Sequence, residues 1–168
     1  SIIGKIYVWH CKLDDDITIV KSRIEEDVTL QTTQLNHLEI RDAAFVKKLN
    51  LFKSTFFYGV DLYQCEVNEL TIHESDFLKR DSKNLSFKSG LKIIDAKNLE
   101  QVQILGSTIE SNTTLSLDSC KLLKIIGSKF NSFGVSHWNS KIKIYDSIFN
   151  DDVYFGGIHR IKVSTKFI

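Results

Sequence analysis

The sequence predicts an all-β fold, a β-helix (β-solenoid) of about seven coils with turns of about 21 residues. Three observations carry this expectation. The first is a beat of large apolar residues, Leu30, Leu35, Ile40, Phe45, Leu51, Phe56, Leu62, Val67, Ile72 and Phe77, with steps of five residues stretched twice to six. The second is a companion set two positions earlier, Val28, Thr33, Leu38, Ala43, Leu49, Ser54, Val60, Cys65, Leu70 and Ser75, in which branched and small residues alternate. The third is the 21-residue superperiod of both sets. A helix repeats every 3.6 residues and a half-buried strand every two, so neither produces it. A solenoid does, because each turn returns the same residue type to the same wall of one continuous core.

Followed in order, the unit begins at Ile17-Thr18-Ile19 with Ser22 and Ile24, and recurs at Val28, Leu38, Leu49, Val60 and Leu70. A looser insertion is expected near 78–84, after which the pattern resumes at Leu85 and Phe87. It is regular again at Val102-Gln103-Ile104 with Ser107 and Ile109, and at Leu115-Ser116-Leu117 with Cys120 and Leu122. The last copies are Leu123 to Phe130 and Ile142 to Phe149, with Val135-Ser136-His137 placing a histidine at a large apolar position. The domain boundaries expected are an N-terminal strand or cap over 1–16 and the β-helix over 17–168. Small residues alternate with large ones because a narrow core cannot admit bulk from every wall. Buried hydroxyls at Ser54, Ser75 and Ser107 then require backbone carbonyls as partners.

Composition removes several function classes. The 22 basic and 21 acidic residues leave a net charge of +1, without the basic excess of a phosphate-backbone binder or the acidic excess of a nucleic-acid mimic. No nucleic-acid partner is expected. No apolar run reaches the length of a membrane span. The N-terminal residues lack the pattern of a secretory signal, so a cytoplasmic location is expected, a secreted protein or effector domain being the other reading. Cys11, Cys65 and Cys120 have no metal-type spacing; Cys65 and Cys120 fall at the small position and read as compact buried hydrophobes.

Ala43-Ala44-Phe45, Ser54-Thr55-Phe56, Ser75-Asp76-Phe77 and Ser128-Lys129-Phe130 resemble the unit of the pentapeptide-repeat family, a central Leu or Phe with a small residue two positions before it. The resemblance covers 17–77 well and 100–150 more loosely, in a degenerate form. It implies a right-handed quadrilateral β-helix, often ending in a dimer contact.

With the central residue and the one two before it pointing inward, outward residues one turn apart should lie above one another. Counting by 21 or 22, one outward column reads Arg41, Tyr63, Leu105, Ile126 and Tyr145, and a second reads Gln31, Phe52, His73, Ile94, Trp138 and His159. Tyr63, Leu105, Ile126 and Tyr145 are the expected lateral binding strip, with Phe52, His73 and Trp138 as a secondary column, since apolar side chains in register mark an interface. The expected function is a non-catalytic scaffold for a partner protein or a second copy, with a possible homodimer through the C-terminal coil, where Ile161 to Ile168 form an apolar strand.

Two other function classes compete with this reading. A carbohydrate-acting β-helix enzyme would line up acids, and Lys53, Glu74 and Asp95 share a spacing of 21; a Lys–Glu cross-strand pair is the plainer reading. An inhibitor or protector of a nucleic-acid enzyme, as in some pentapeptide-repeat proteins, fits poorly with a charge of +1. No zinc spacing, nucleophile elbow or phosphate loop is visible, and no catalytic residue, metal or cofactor is expected.

Overall fold

A computed structural model describes residues 1–42, 44–78, 90–117, 120–136 and 141–156, with 161–167 described by backbone alone. The expected copies at Leu85, Phe87 and His137, the small residue Ala43, and all of the 78–84 insertion except Leu78 lie outside the described residues. Among the described residues there is no helix.

Every strand runs parallel to its neighbours and pairs with the strand one turn away, so the chain winds as a β-solenoid of about seven turns. One long face, here face A, stacks β2 (Ile6–Trp9), β4 (Arg23–Gln31), β6 (Phe45–Phe52), β8 (Glu66–His73), β11 (Gln101–Leu105), β13 (Leu122–Ile126), β15 (Lys141–Phe149) and β17 (Ile161–Phe167), numbered in chain order. The opposite face B stacks β3 (Ile17–Val20), β5 (Gln34–Arg41), β7 (Thr55–Tyr63), β10 (Leu91–Ile94), β12 (Thr108–Ser116), β14 (Lys129–Ser136) and β16 (Val153–Gly156). β1 (Ile2–Ile3) pairs with the start of β4, and β9 (Asp76–Phe77) with the starts of β7 and β12. β2 places Ile6 against Val28 and Val8 against Leu30, so the ladder includes a strand within the segment expected as an N-terminal strand or cap.

Most long strands bend partway along, where the register slips, as between Ile24 and Asp27 or Leu35 and His37. Each turn therefore has two long sides and two short ones. The long sides end at corners of positive φ, at Thr32, Lys53, Glu74, Gly106, Gly127 and Asp146 after face A and at Lys21, Asp42, Gln64 and Asp95 after face B. Only glycine adopts this geometry without cost, so the lysines and glutamate there are held by their neighbours. The N–H groups of the corners at Thr32, Lys53, Gln64, Glu74, Gly106 and Gly127 donate to the ladder carbonyl of the next turn, Lys53 to His73 and Glu74 to Leu105 both within 2.9 Å.

The core is a set of columns. Val28, Leu49, Leu70, Val102, Leu123 and Ile142 form one inward column of face A, fully buried. On a short side Leu35, Phe56, Phe77, Ile109, Phe130 and Phe149 form another. Phe56 and Phe77 stack at 4.9 Å and Phe130 and Phe149 at 5.2 Å, with Phe133 edge-on to the second pair. Offset stacking of this kind adds to area burial.

The small position after each face-A corner holds a hydroxyl ladder. The backbone N–H of Thr33 donates to Ser54 Oγ at 3.2 Å, Ser54 N–H to Ser75 Oγ at 3.2 Å, and Ser75 N–H to Ser107 Oγ at 3.1 Å. Ser107 N–H and Ser128 N–H continue it to Ser128 Oγ and Ser147 Oγ. Each hydroxyl lies within donating distance of the carbonyl two residues before it, Ser54 of Phe52 at 2.9 Å and Ser75 of His73 at 3.1 Å. The carbonyl partners expected for these serines are thus present, and the ladder crosses the insertion without a gap.

All three cysteines are free, and Cys65 and Cys120 are buried. Burial pushes the Cys65 thiol from 9.0 up to about 12. The folded value lies above the unfolded one, so this group's contribution falls as pH rises from about 9 towards 12, where the unfolded chain alone sheds the proton. At pH 8 a thiol reagent should modify half-buried Cys11 promptly and Cys65 only on unfolding. Rapid modification of Cys65 in the folded protein, located by peptide mapping, would show that it is accessible.

Candidate interaction surface

Outward residues of face A form three columns in register. The column next to the corner reads Trp9, Gln31, Phe52, His73, Leu105, Ile126 and Tyr145, with Ser164 following by backbone position. The corresponding column of face B reads Val20, Arg41, Tyr63 and Ile94. This corrects the grouping expected from spacing. Leu105, Ile126 and Tyr145 continue the Phe52–His73 column, while Tyr63 stands on the opposite face beside Arg41 and Ile94. Trp138 and His159 lie outside the described residues.

The cause is the insertion. Phe52 and His73 are 21 residues apart, whereas the next partners, His73 and Leu105, are 32 apart. The eleven additional residues are half a turn, so counting by 21 from Tyr63 arrives on the wrong face.

The corrected strip is contiguous. Phe52, His73, Leu105, Ile126 and Tyr145 are each half-buried, shielded along the column by the residue above and below, and the Phe52 and His73 rings meet edge-on at 6.1 Å. Trp9 at the first rung is 57% exposed, and Tyr63 across the molecule 42%. Beside the strip the corner carries Lys53 and Glu74, paired at 3.3 Å, and His73 Nε2 lies 3.3 Å from Glu74 Oε1. Above them the corner changes character. Gly106 and Gly127 hold φ of +56° and +61°, leaving no side chain between Leu105 or Ile126 and the edge of the molecule.

The middle column of face A begins with the exposed Tyr7 and is polar from there on: Thr29, Asn50, Thr71, Gln103, Lys124 and Lys143. The third reads Asp27, Lys48, Glu69, Gln101, Leu122 and Lys141, with Lys48 and Glu69 paired at 3.1 Å. The face thus offers an apolar strip on a rigid polar sheet.

The acid arrangement weighed for an enzyme is not assembled. Lys53 and Glu74 form the cross-strand pair, but Glu74 follows β8 on face A and Asp95 follows β10 on face B. On face B, His37 Nε2 lies 3.4 Å from Asp61 Oδ2, beside the Arg41–Glu39 pair at 3.2 Å. The hydrogen-bonding partners of His37 Nε2 and Asp61 Oδ1 are unfilled among the described residues. Among the described residues no three His, Cys, Asp or Glu side chains are grouped to hold a metal ion, and no helix is long and apolar enough to cross a membrane. Comparison with protein-family models, with curated proteins and with solved structures finds no match to this chain.

Proposed function

We propose that the protein is a non-catalytic solenoid scaffold that recognises another protein chain through the lateral strip of face A. The observation that carries this reading is the register of Phe52, His73, Leu105, Ile126 and Tyr145, five successive rungs of one outward column. Aromatic and aliphatic side chains concentrated in one line on a stiff sheet are the anchors that binding surfaces use, and a preformed sheet binds with little ordering cost. The separation of Glu74 from Asp95 further favours a binding role over a two-carboxylate glycosidase. The small-x-Phe units around Phe56, Phe77 and Phe130 support kinship with pentapeptide-repeat solenoids.

The test is a comparison between the two faces. Leu105→Glu with Ile126→Glu should leave the β circular dichroism unchanged and reduce capture of bound protein at least about tenfold, as for loss of hot-spot contacts. Tyr63→Glu on face B should leave capture intact. Equal losses for both variants, or none for the first, would remove face A as the recognition surface.

A further inference from the structure

The charges of face A are unevenly compensated. In its lower half Lys48 is paired with Glu69 at 3.1 Å and Lys53 with Glu74 at 3.3 Å. In its upper half Lys124 and Lys143 are directly opposite one another on successive rungs, with Lys141 two residues before Lys143. No ion pair is formed by these three lysines among the described residues, and like charges directly opposite on adjacent strands are destabilising. On the second rung Asp27, opposite Lys48 of the next rung, and the neighbouring Glu26 form no ion pair among the described residues, Lys48 being paired with Glu69 instead. The imbalance extends through the whole chain. Residues 1–78 hold eight Lys and Arg against thirteen Asp and Glu, net −5, and residues 79–168 hold fourteen against eight, net +6.

We infer that the occupant of face A is a second copy of this chain, lying face to face with the first and with its solenoid axis reversed. This rests on the reading of face A as the recognition surface and names its partner. A two-fold axis along the strand direction sets each column against the same column of the other copy, in reverse order. Full overlap of the eight rungs then places Phe52 opposite Ile126, His73 opposite Leu105, and Asp27 opposite Lys141. Every contact occurs twice, as an isologous interface requires. The parallel alternative sets Lys124 against Lys124 and Lys143 against Lys143, and like-charge juxtaposition of that kind suppresses a pairing.

The dimension of the face sets the strength. Eight rungs at ~4.8 Å and five residues of strand at ~3.3 Å give a patch about 34 Å long and about 15 Å wide. Two such patches bury on the order of 1,000 Å², the lower bound of a specific interface, so the dimer is reversible and in exchange with monomer.

Sedimentation equilibrium of the full chain, from about 1 µM to about 100 µM, tests this with charge exchange. The wild type should dimerise within that range. Lys141→Glu alone and Asp27→Lys alone should each weaken the dimer about tenfold, and the variant carrying both should return to within about threefold of wild type. Leu105→Glu with Ile126→Glu should be monomeric with unchanged circular dichroism. A wild type that stays monomeric, or a dimer indifferent to both single substitutions, overturns the antiparallel dimer. So does a dimer weakened by Lys141→Glu but not by Asp27→Lys, because its acidic contact is then not Asp27. A monomer that still loses capture of a different protein on Leu105→Glu with Ile126→Glu overturns this inference while leaving face A as a recognition surface. A monomer without that loss removes both.

Discussion

Phe56→Ala is expected to lower the stability of the protein by about 3–5 kcal/mol, from lost transfer free energy and from the cavity left behind. Phe56 is fully buried and stacked on Phe77 at 4.9 Å, in a column that cannot collapse without moving ladder strands above and below. Because β7, which carries Phe56, is pinned on two sides, relaxation is limited and the upper part of the range applies. Lys53→Ala is the control. Its ion pair with Glu74 is exposed, and alanine meets the same positive-φ corner as lysine, so the cost is under about 1 kcal/mol. Urea denaturation of the two variants measures the difference; coincident midpoints would mean that the inward and outward assignments are interchanged.

The second large effect is expected at a residue with far less volume. Ser75→Ala removes an acceptor from the Ser54 N–H and a donor from the carbonyls of Leu51 and His73, at distances of 3.1–3.2 Å. The bonds to the Ser54 N–H and the Leu51 carbonyl are buried, so no water takes them over, while the His73 carbonyl keeps the Lys53 N–H as a donor; the expected cost is about 1–3 kcal/mol. Ser75→Cys keeps a weak donor and similar shape and should cost less, as the natural Cys65 at the equivalent position on the other side of the coil illustrates. Equal stability of Ser75→Ala and wild type would mean that the ladder contributes packing alone.

Much of this architecture was legible in the sequence because a solenoid writes its own period. Most of the inward set from Val28 to Phe77, the stacking of Phe56 on Phe77 and the carbonyl partners of Ser54 and Ser75 follow from the 21-residue repeat, but Phe45 and Leu122, expected inward, are half-buried on the outer side, with Val46 and Leu123, one residue along, in the core in their place. The composition of the binding strip did not. An insertion of half a turn leaves the local five-residue beat intact on both sides, so Leu105 looks in phase with Tyr63 although it stands on the opposite face. Pairing across the insertion fixes the phase, and pairing is a tertiary quantity. The corners at Lys53, Gln64 and Glu74 were equally hidden, since none of these residue types signals a left-handed backbone.

Leu78 and Gly90, the described residues on either side of 79–89, are both fixed to the ladder. Leu78 N–H donates to the Phe56 carbonyl at 2.9 Å, and the Gly90 carbonyl accepts from Val60 at 2.9 Å. A side chain at Gly90 would come within 2.8 Å of the Asn112 carbonyl oxygen, so the point of return is marked by the one residue that fits. With its ends clamped, a connection here can lengthen cheaply, each doubling adding only about 0.6 kcal/mol of closure entropy. The connection between Leu78 and Gly90 is accordingly a graft point, at which a peptide epitope or a small domain with adjacent termini can be spliced into the coil while the strands on either side keep their partners.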